Sequence, residues 1–274
     1  GSFGGNCGFL NGCGTARILS PTGKLRVLYT FTGEADGSSP EGGLLRGANG
    51  VFYGTAEYGG STSGPCAAQS VSQFGCGVAF QLDRNGTYTV LHTFTGGSDG
   101  QWPVSPLAID ASGNLYGTTL YGGSTSAVCT SQENKGCGVV FKVDASGHES
   151  VLYAFNGTPD AAWPIENDVT LDASGNLYGS TIGGGASQFG AVYKVDSAGS
   201  ESVLYSFTGG SDGALPRSGL LLDAKGNLFG TTTSGPTITN QCDSATCGVV
   251  FKLTPAGTET VLYKCRGNYA PIGD

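Results

Sequence analysis

The chain has 274 residues, with 49 Gly, nine Cys and no Met, and carries a net charge of −8. Charged residues make up only 12%, too few for a disordered polyelectrolyte. The acidic balance disfavours nucleic acid or an anionic membrane as partner, since both need Lys/Arg patches, and no apolar run approaches the roughly 20 residues that cross a bilayer as a helix.

In chain order, two short runs rich in apolar and β-branched residues come first, at 15–19 and 27–31. They read as a hairpin, a half-unit spanning 13–31. A longer unit then repeats over 44–94, 106–155, 168–207 and 219–265. Its marker is Asn49-Gly50-Val51-Phe52-Tyr53-Gly54, followed by Gly113-Asn114-Leu115-Tyr116-Gly117, Gly175-Asn176-Leu177-Tyr178-Gly179 and Gly226-Asn227-Leu228-Phe229-Gly230. The second copy shows the whole unit. Residues 107–110 are a short strand, 111–113 a tight turn in which Gly supplies positive φ, and 114–119 a second strand. A Cys-containing loop follows over 120–137, then strands at 139–144 and 149–155 separated by the turn 145–147. Four strands in an up-and-down meander, repeated every 50–60 residues, predict an all-β protein built as a β-propeller of four-stranded antiparallel blades in a single domain. The two outer strand types occur five times and the two inner types four times. The expectation is therefore four complete blades plus an unmatched half-blade, whose free edge and apolar face need a cover.

Eight cysteines form close pairs, Cys7/Cys13, Cys66/Cys76, Cys129/Cys137 and Cys242/Cys247, each ahead of a strand of the same type. The third repeat has a shorter loop there, 183–189, and no Cys. Cysteines that come and go with a loop insertion read as disulfide staples made in an oxidising compartment. The alternative is thiolates from converging loops holding a metal. Cys265 has no partner in this scheme. It stands where Phe31, Phe94, Phe155 and Phe207 stand in the other repeats, as a buried free thiol or a bond to another chain.

Several segments recur in order: Cys-Gly-Val-Val-Phe-Lys, Glu-x-Val-Leu-Tyr-x-Phe, Gly-Gly-Ser-Asp-Gly and Asp-Ala-x-Gly-Asn-Leu-Tyr-Gly-Thr-Thr. Over nearly the whole chain this resembles the GloVer tandem-repeat proteins of the "choice-of-anchor" group. The resemblance implies a secreted or surface-attached bacterial β-propeller, often fixed to the cell by a separate C-terminal anchor, and transfers no catalytic residue.

The remaining candidates are few. His92 replaces the Tyr of the Val-Leu-Tyr-x-Phe strand and His148 lies in a turn; no Gly-x-Ser-x-Gly elbow accompanies them. Asp36, Asp99, Asp160 and Asp212 recur in the linkers between repeats. They read as turn-forming residues, with a ring of carboxylates around Ca²⁺ as the sharper alternative; otherwise no cofactor is expected. Asp110, Asp172 and Asp223 read as Asx-type hairpin residues. Trp102 and Trp163 each precede Pro in equivalent linkers, where an indole packs over its own blade, stacks on a sugar or anchors a protein interface. The leading expectation is a non-catalytic, extracellular or cell-surface propeller that adheres to copies of itself, even into filaments, through the unmatched hairpin. The alternatives are a propeller that binds extracellular polysaccharide and, below it, a glycosidase or lyase.

Overall fold

The computed structural model describes residues 12–67, 75–130, 136–165, 168–235 and 247–265. Cys7 and Cys242 lie outside them. The chain forms two compact units, Gly1–Ala154 and Phe155–Asp274.

In the first unit, β1 (Thr15–Leu19) pairs with β2 (Leu25–Thr30) as a two-stranded sheet. The first blade has the order β3 (Leu45–Arg46), β4 (Phe52–Ala56), β5 (Val78–Leu82), β6 (Tyr88–Thr93). The second blade repeats this as β7 (Ala108–Ile109), β8 (Leu115–Thr119), β9 (Val139–Val143), β10 (Glu149–Ala154). The second unit opens with β11 (Ala161–Ala162), followed by β12 (Thr170–Leu171), β13 (Leu177–Thr181), β14 (Gly183–Gly184), β15 (Ala191–Val195) and β16 (Glu201–Ser206). Strands β12, β13, β15 and β16 form the third blade, and β11 pairs with β14 beside it. The last blade is β18 (Leu221–Leu222), β19 (Leu228–Ser234), β20 (Val249–Leu253) and β21 (Glu259–Lys264), with β17 (Ala214–Pro216) paired to the far end of β19. Among the described residues every pairing between these strands is antiparallel. This is the β-propeller of four complete blades plus a half-blade that the strand count predicts.

The third strand of each blade holds its core. Val139, Val140, Phe141 and Val143 are fully buried, because β9 is covered on both faces as well as on both edges. The phenylalanine of this strand explains the glycine in Asn-Leu-Tyr-Gly. A Cβ on Gly117 would lie 2.7 Å from Phe141 Cζ, and one on Gly54 2.7 Å from Phe80 Cζ. The glycine is a seat for an aromatic ring. A second aromatic completes the contact: Phe94 meets Phe141 edge-on at 5.0 Å and Phe31 meets Phe80 at 5.4 Å. In the second unit Phe155 meets Tyr193 at 4.9 Å and Phe207 meets Phe251 at 5.2 Å. Cys265, in the place of these phenylalanines, is a free, half-buried thiol, and no further blade is described for it to pack on.

Hairpin turns follow side-chain chemistry as expected. Asp110 Oδ1 accepts the N–H groups of Ser112 and Asn114, both at 2.9 Å, and its Oδ2 accepts Asn114 Nδ2 at 2.7 Å. Asp172 and Asp223 repeat the pattern. Burial pushes the Asp110 carboxyl up, but these donors and the Tyr116 hydroxyl outweigh it and hold the group below the usual range.

Candidate functional site

The cysteine loops and the linkers meet within each unit. Cys66–Cys76 and Cys129–Cys137 are disulfides, and Cys13 and Cys247 are also disulfide-bonded. The Cys66–Cys76 bridge lies on Gly96 of the following linker, where an added Cβ would come within 2.7 Å of Cys76 Sγ. The third repeat shows what replaces a bridge. Phe189 lies on Gly209, the glycine equivalent to Gly96, at 2.9 Å from such a Cβ. An apolar ring in a short loop fills the volume that a disulfide fills in a long one. Opening Cys129–Cys137 by Cys129→Ser with Cys137→Ser is expected to cost about 2–3 kcal/mol, the chain-entropy value for so short a loop, read as a fall in the urea midpoint.

The linker aspartates close their own turns. Asp99 Oδ2 accepts the Thr95 N–H at 2.8 Å and its Oδ1 the Thr95 hydroxyl at 2.6 Å. Asp212 does the same with Thr208, at 2.7 and 2.6 Å. Asp36 accepts the Thr32 N–H at 2.9 Å, and Asp160 accepts the Asn156 N–H at 2.8 Å and that of Ala161 at 2.6 Å. A further tie comes from the outer strand seven residues earlier. Tyr29 Oη donates to Asp36 Oδ2 at 2.9 Å and Tyr205 Oη to Asp212 Oδ2 at 3.0 Å. Burial, then Asp36, pushes the Tyr29 phenol up to about 12. His92 takes the tyrosine's place, with Nε2 at 3.2 Å from Asp99 Oδ2, so it does more than fill space. Burial pushes Asp99 up, yet the donors around it, His92 first, hold it below the usual range.

Trp102 and Trp163 share an unusual backbone. Their φ angles are 59° and 60°, and Ser39 and Leu215, at the equivalent positions, have 51° and 54°. A left-handed residue other than Gly costs on the order of 1–2 kcal/mol. At three of the four positions the same residue ties its linker to the preceding loop. Ser39 N–H donates to Cys13 O at 3.0 Å, Trp102 N–H to Cys76 O at 2.9 Å and Leu215 N–H to Phe189 O at 2.9 Å. The strain therefore belongs to the repeat and marks no tryptophan-specific task. Trp102 Nε1 donates to Gly75 O at 3.2 Å, and its half-buried ring meets Tyr58 at 5.4 Å and Tyr121 at 5.3 Å, both edge-on. Trp163, also half-buried, covers Gly183. The tryptophans lie in different units, and each ring is in contact with its own unit.

The half-blade departs from the blades at two positions. Arg17 stands where Phe80, Phe141, Tyr193 and Phe251 stand in the other third-type strands, and its side chain is exposed. Ser20 takes the turn-capping place of Asp83, Asp144 and Asp196, its Oγ accepting the Lys24 N–H at 2.9 Å. The first 33 residues thus hold three of the 13 cations, Arg17, Lys24 and Arg26, and none of the 21 carboxylates. All three are exposed. Leu19, Leu25 and Val27 are 66%, 53% and 49% exposed, and β1 pairs with β2 alone among the described residues. Sequence reading found the open hairpin but missed its charge, which shows only when position 17 is aligned with the core phenylalanines.

No curated protein matches the chain. Among solved structures it is similar to a gluconolactonase from Xanthomonas campestris, at 14% identity and a TM-score of 0.48, over 90% of this chain and 67% of that one. It is also similar to a protein of unknown function from Dyadobacter fermentans, at 11% identity and a TM-score of 0.50, over 88% of this chain and 68% of that one. At 11% identity the second likeness speaks for the fold alone. The Gloeobacter/Verrucomicrobia repeat matches residues 3–128 and again 124–271, and the chain belongs to that repeat family.

Proposed function

We propose that the protein is a non-catalytic, extracellular scaffold propeller that associates with copies of itself through the β1–β2 hairpin. The observation that carries this reading is the pairing of an open strand edge with exposed cations and exposed apolar side chains on an otherwise acidic chain. Disulfide staples suit an oxidising, extracellular setting, and among the described residues no helix is long and apolar enough to cross a membrane. The occupant of the hairpin is a second copy. Among its described residues that copy has no spare inner strands, since all four inner pairs are built into complete blades. What it offers is negative charge, at the turn carboxylates of Asp83, Asp110, Asp144, Asp172 and Asp223, each held below the usual range by its turn donors. A basic, apolar-lined edge meeting the acidic turns of one unit of the next copy is a heterologous contact, which propagates unless rotation closes it.

Sedimentation at rising protein concentration tests this. In about 20 mM salt the native chain is expected to gain mass with concentration, and about 0.5 M salt should reverse the gain, because that ionic strength screens charge within a few ångströms. Arg17→Glu with Arg26→Glu should stay monomeric under both conditions. A native chain that remains monomeric at millimolar concentration in low salt overturns the reading.

A further inference from the structure

Three glutamates occupy one repeated, partly buried place, and the first blade shows what that place is for. In register with the last residue of the third strand, the outer strand begins with Tyr88 opposite Leu82, Glu149 opposite Val143, Glu201 opposite Val195 and Glu259 opposite Leu253. Tyr88 stacks on Tyr29 at 4.2 Å and donates its hydroxyl to the carbonyl of Asp36 at 2.6 Å. An O–H at this position therefore ties the outer strand to the linker. In the other blades Glu149, Glu201 and Glu259 each bury Oε1 with no hydrogen-bond partner, and Glu201 already lies in side-chain hydrogen-bond contact with Asp160 of its linker. An ionised carboxylate offers no proton to donate, whereas a protonated one has the O–H that Tyr88 uses.

We propose that Glu149, Glu201 and Glu259 are acid-closed latches, each donating a hydrogen bond to its neighbouring linker when protonated and releasing it on ionisation. The surroundings favour the protonated form. Glu149 faces Asp99 and His92 with His148 beside it; Glu201 faces Asp160 and Tyr193; Glu259 faces Asp212 and Tyr205. Asp99 and Asp212 are held below the usual range by their turn donors, so they stay charged while the glutamates titrate. Burial raises all three glutamates, and for Glu201 burial with Asp160 next to it takes the group to about 7. His92 and His148 work against the rise at Glu149.

A carboxyl raised on folding contributes stability that is full below its unfolded value and lost as pH rises through the folded one. For Glu201 that window runs from about 4.5 to about 7. The opposite trend, from aspartates held low, sets in only below the usual carboxylate range. Stability should therefore peak near pH 5 and decline toward pH 8.

The test is urea unfolding of the full chain from pH 5 to pH 8, for the native protein and for Glu149→Gln/Glu201→Gln/Glu259→Gln, which carries permanent N–H donors. The native unfolding constant is expected to rise about tenfold across this range, allowing for solvent screening of partly exposed groups. The variant should be flat and the more stable of the two at pH 8. Carbon-13 carboxyl titration of the native chain gives a second readout that does not depend on a variant folding, with at least one glutamate titrating above pH 6. A variant with the native pH slope, or a native chain whose glutamates all titrate near pH 4.5, overturns the proposal.

Discussion

Gly122→Ala is expected to lower the melting temperature by about 10 °C or more, reflecting a cost of over about 4 kcal/mol in a unit of this size. Gly122 has φ of +82° and lies directly on the linker backbone: an added Cβ would be 2.4 Å from Gly100 Cα and 2.9 Å from Gly97 O. Neither neighbour has a side chain that can swing aside, so two backbones must separate. Gly59 repeats the contact in the first blade, 2.5 Å from Gly37 Cα, and Gly184 in the third, 2.3 Å from Asp160 O. Gly113→Ala is the control. Its φ of +85° is as positive, but its nearest atom is Ala145 Cβ at 3.8 Å, so it should show only the conformational cost of about 1 kcal/mol. Equal melting temperatures for the two variants would mean that the close approach does not constrain the fold.

Phe141→Ala carries the other large effect. Phe141 is fully buried, lies against Phe94 and over Gly117, and belongs to one core with Leu115, Val139 and Val143. Truncation removes the ring and leaves a cavity that two flanking strands keep open, at about 3–5 kcal/mol. The urea midpoint should fall with the slope unchanged. A coupled measurement sharpens the assignment. Gly117→Ala alone forces a Cβ into the ring and against Leu107 Cδ2 at 2.8 Å, and is expected to cost about 1–3 kcal/mol; with Phe141→Ala already present, the ring's share of that cost should vanish and Leu107 gains room to move. Additive effects would show that ring and glycine do not share one space.

These cases show what sequence carries and what it does not. The strands at 15–19, 78–82 and 139–143 read correctly from short runs rich in apolar and β-branched residues, and the five-to-four imbalance of strand types survives intact as the β1–β2 hairpin beside four blades. The short strands β11, β14 and β17 read as loop, because their pairing rests on Gly and Pro segments with no side-chain alternation to signal it. The glycine excess reads as turns; part of it instead seats phenylalanines or lets loop and linker backbones touch, which no local pattern encodes. The tyrosine–aspartate ties do have a signal, a constant spacing of seven in Tyr29/Asp36, His92/Asp99 and Tyr205/Asp212. The glutamates had none. A Glu opening an outer strand reads as surface, and the carboxylate it faces comes from up to 50 residues away, as Asp99 does for Glu149.

Amide hydrogen exchange along β1, measured at dilute and at high protein concentration in low salt, tests self-association through the hairpin most directly. The β1 amides that face away from β2 are expected to exchange freely when dilute and to gain protection as copies associate. The paired amides of β9, inside a complete blade, should stay protected throughout. Association by mass with no change in protection, or in surface accessibility, anywhere along β1 and β2 would contradict the account, because copies would then be meeting through another surface.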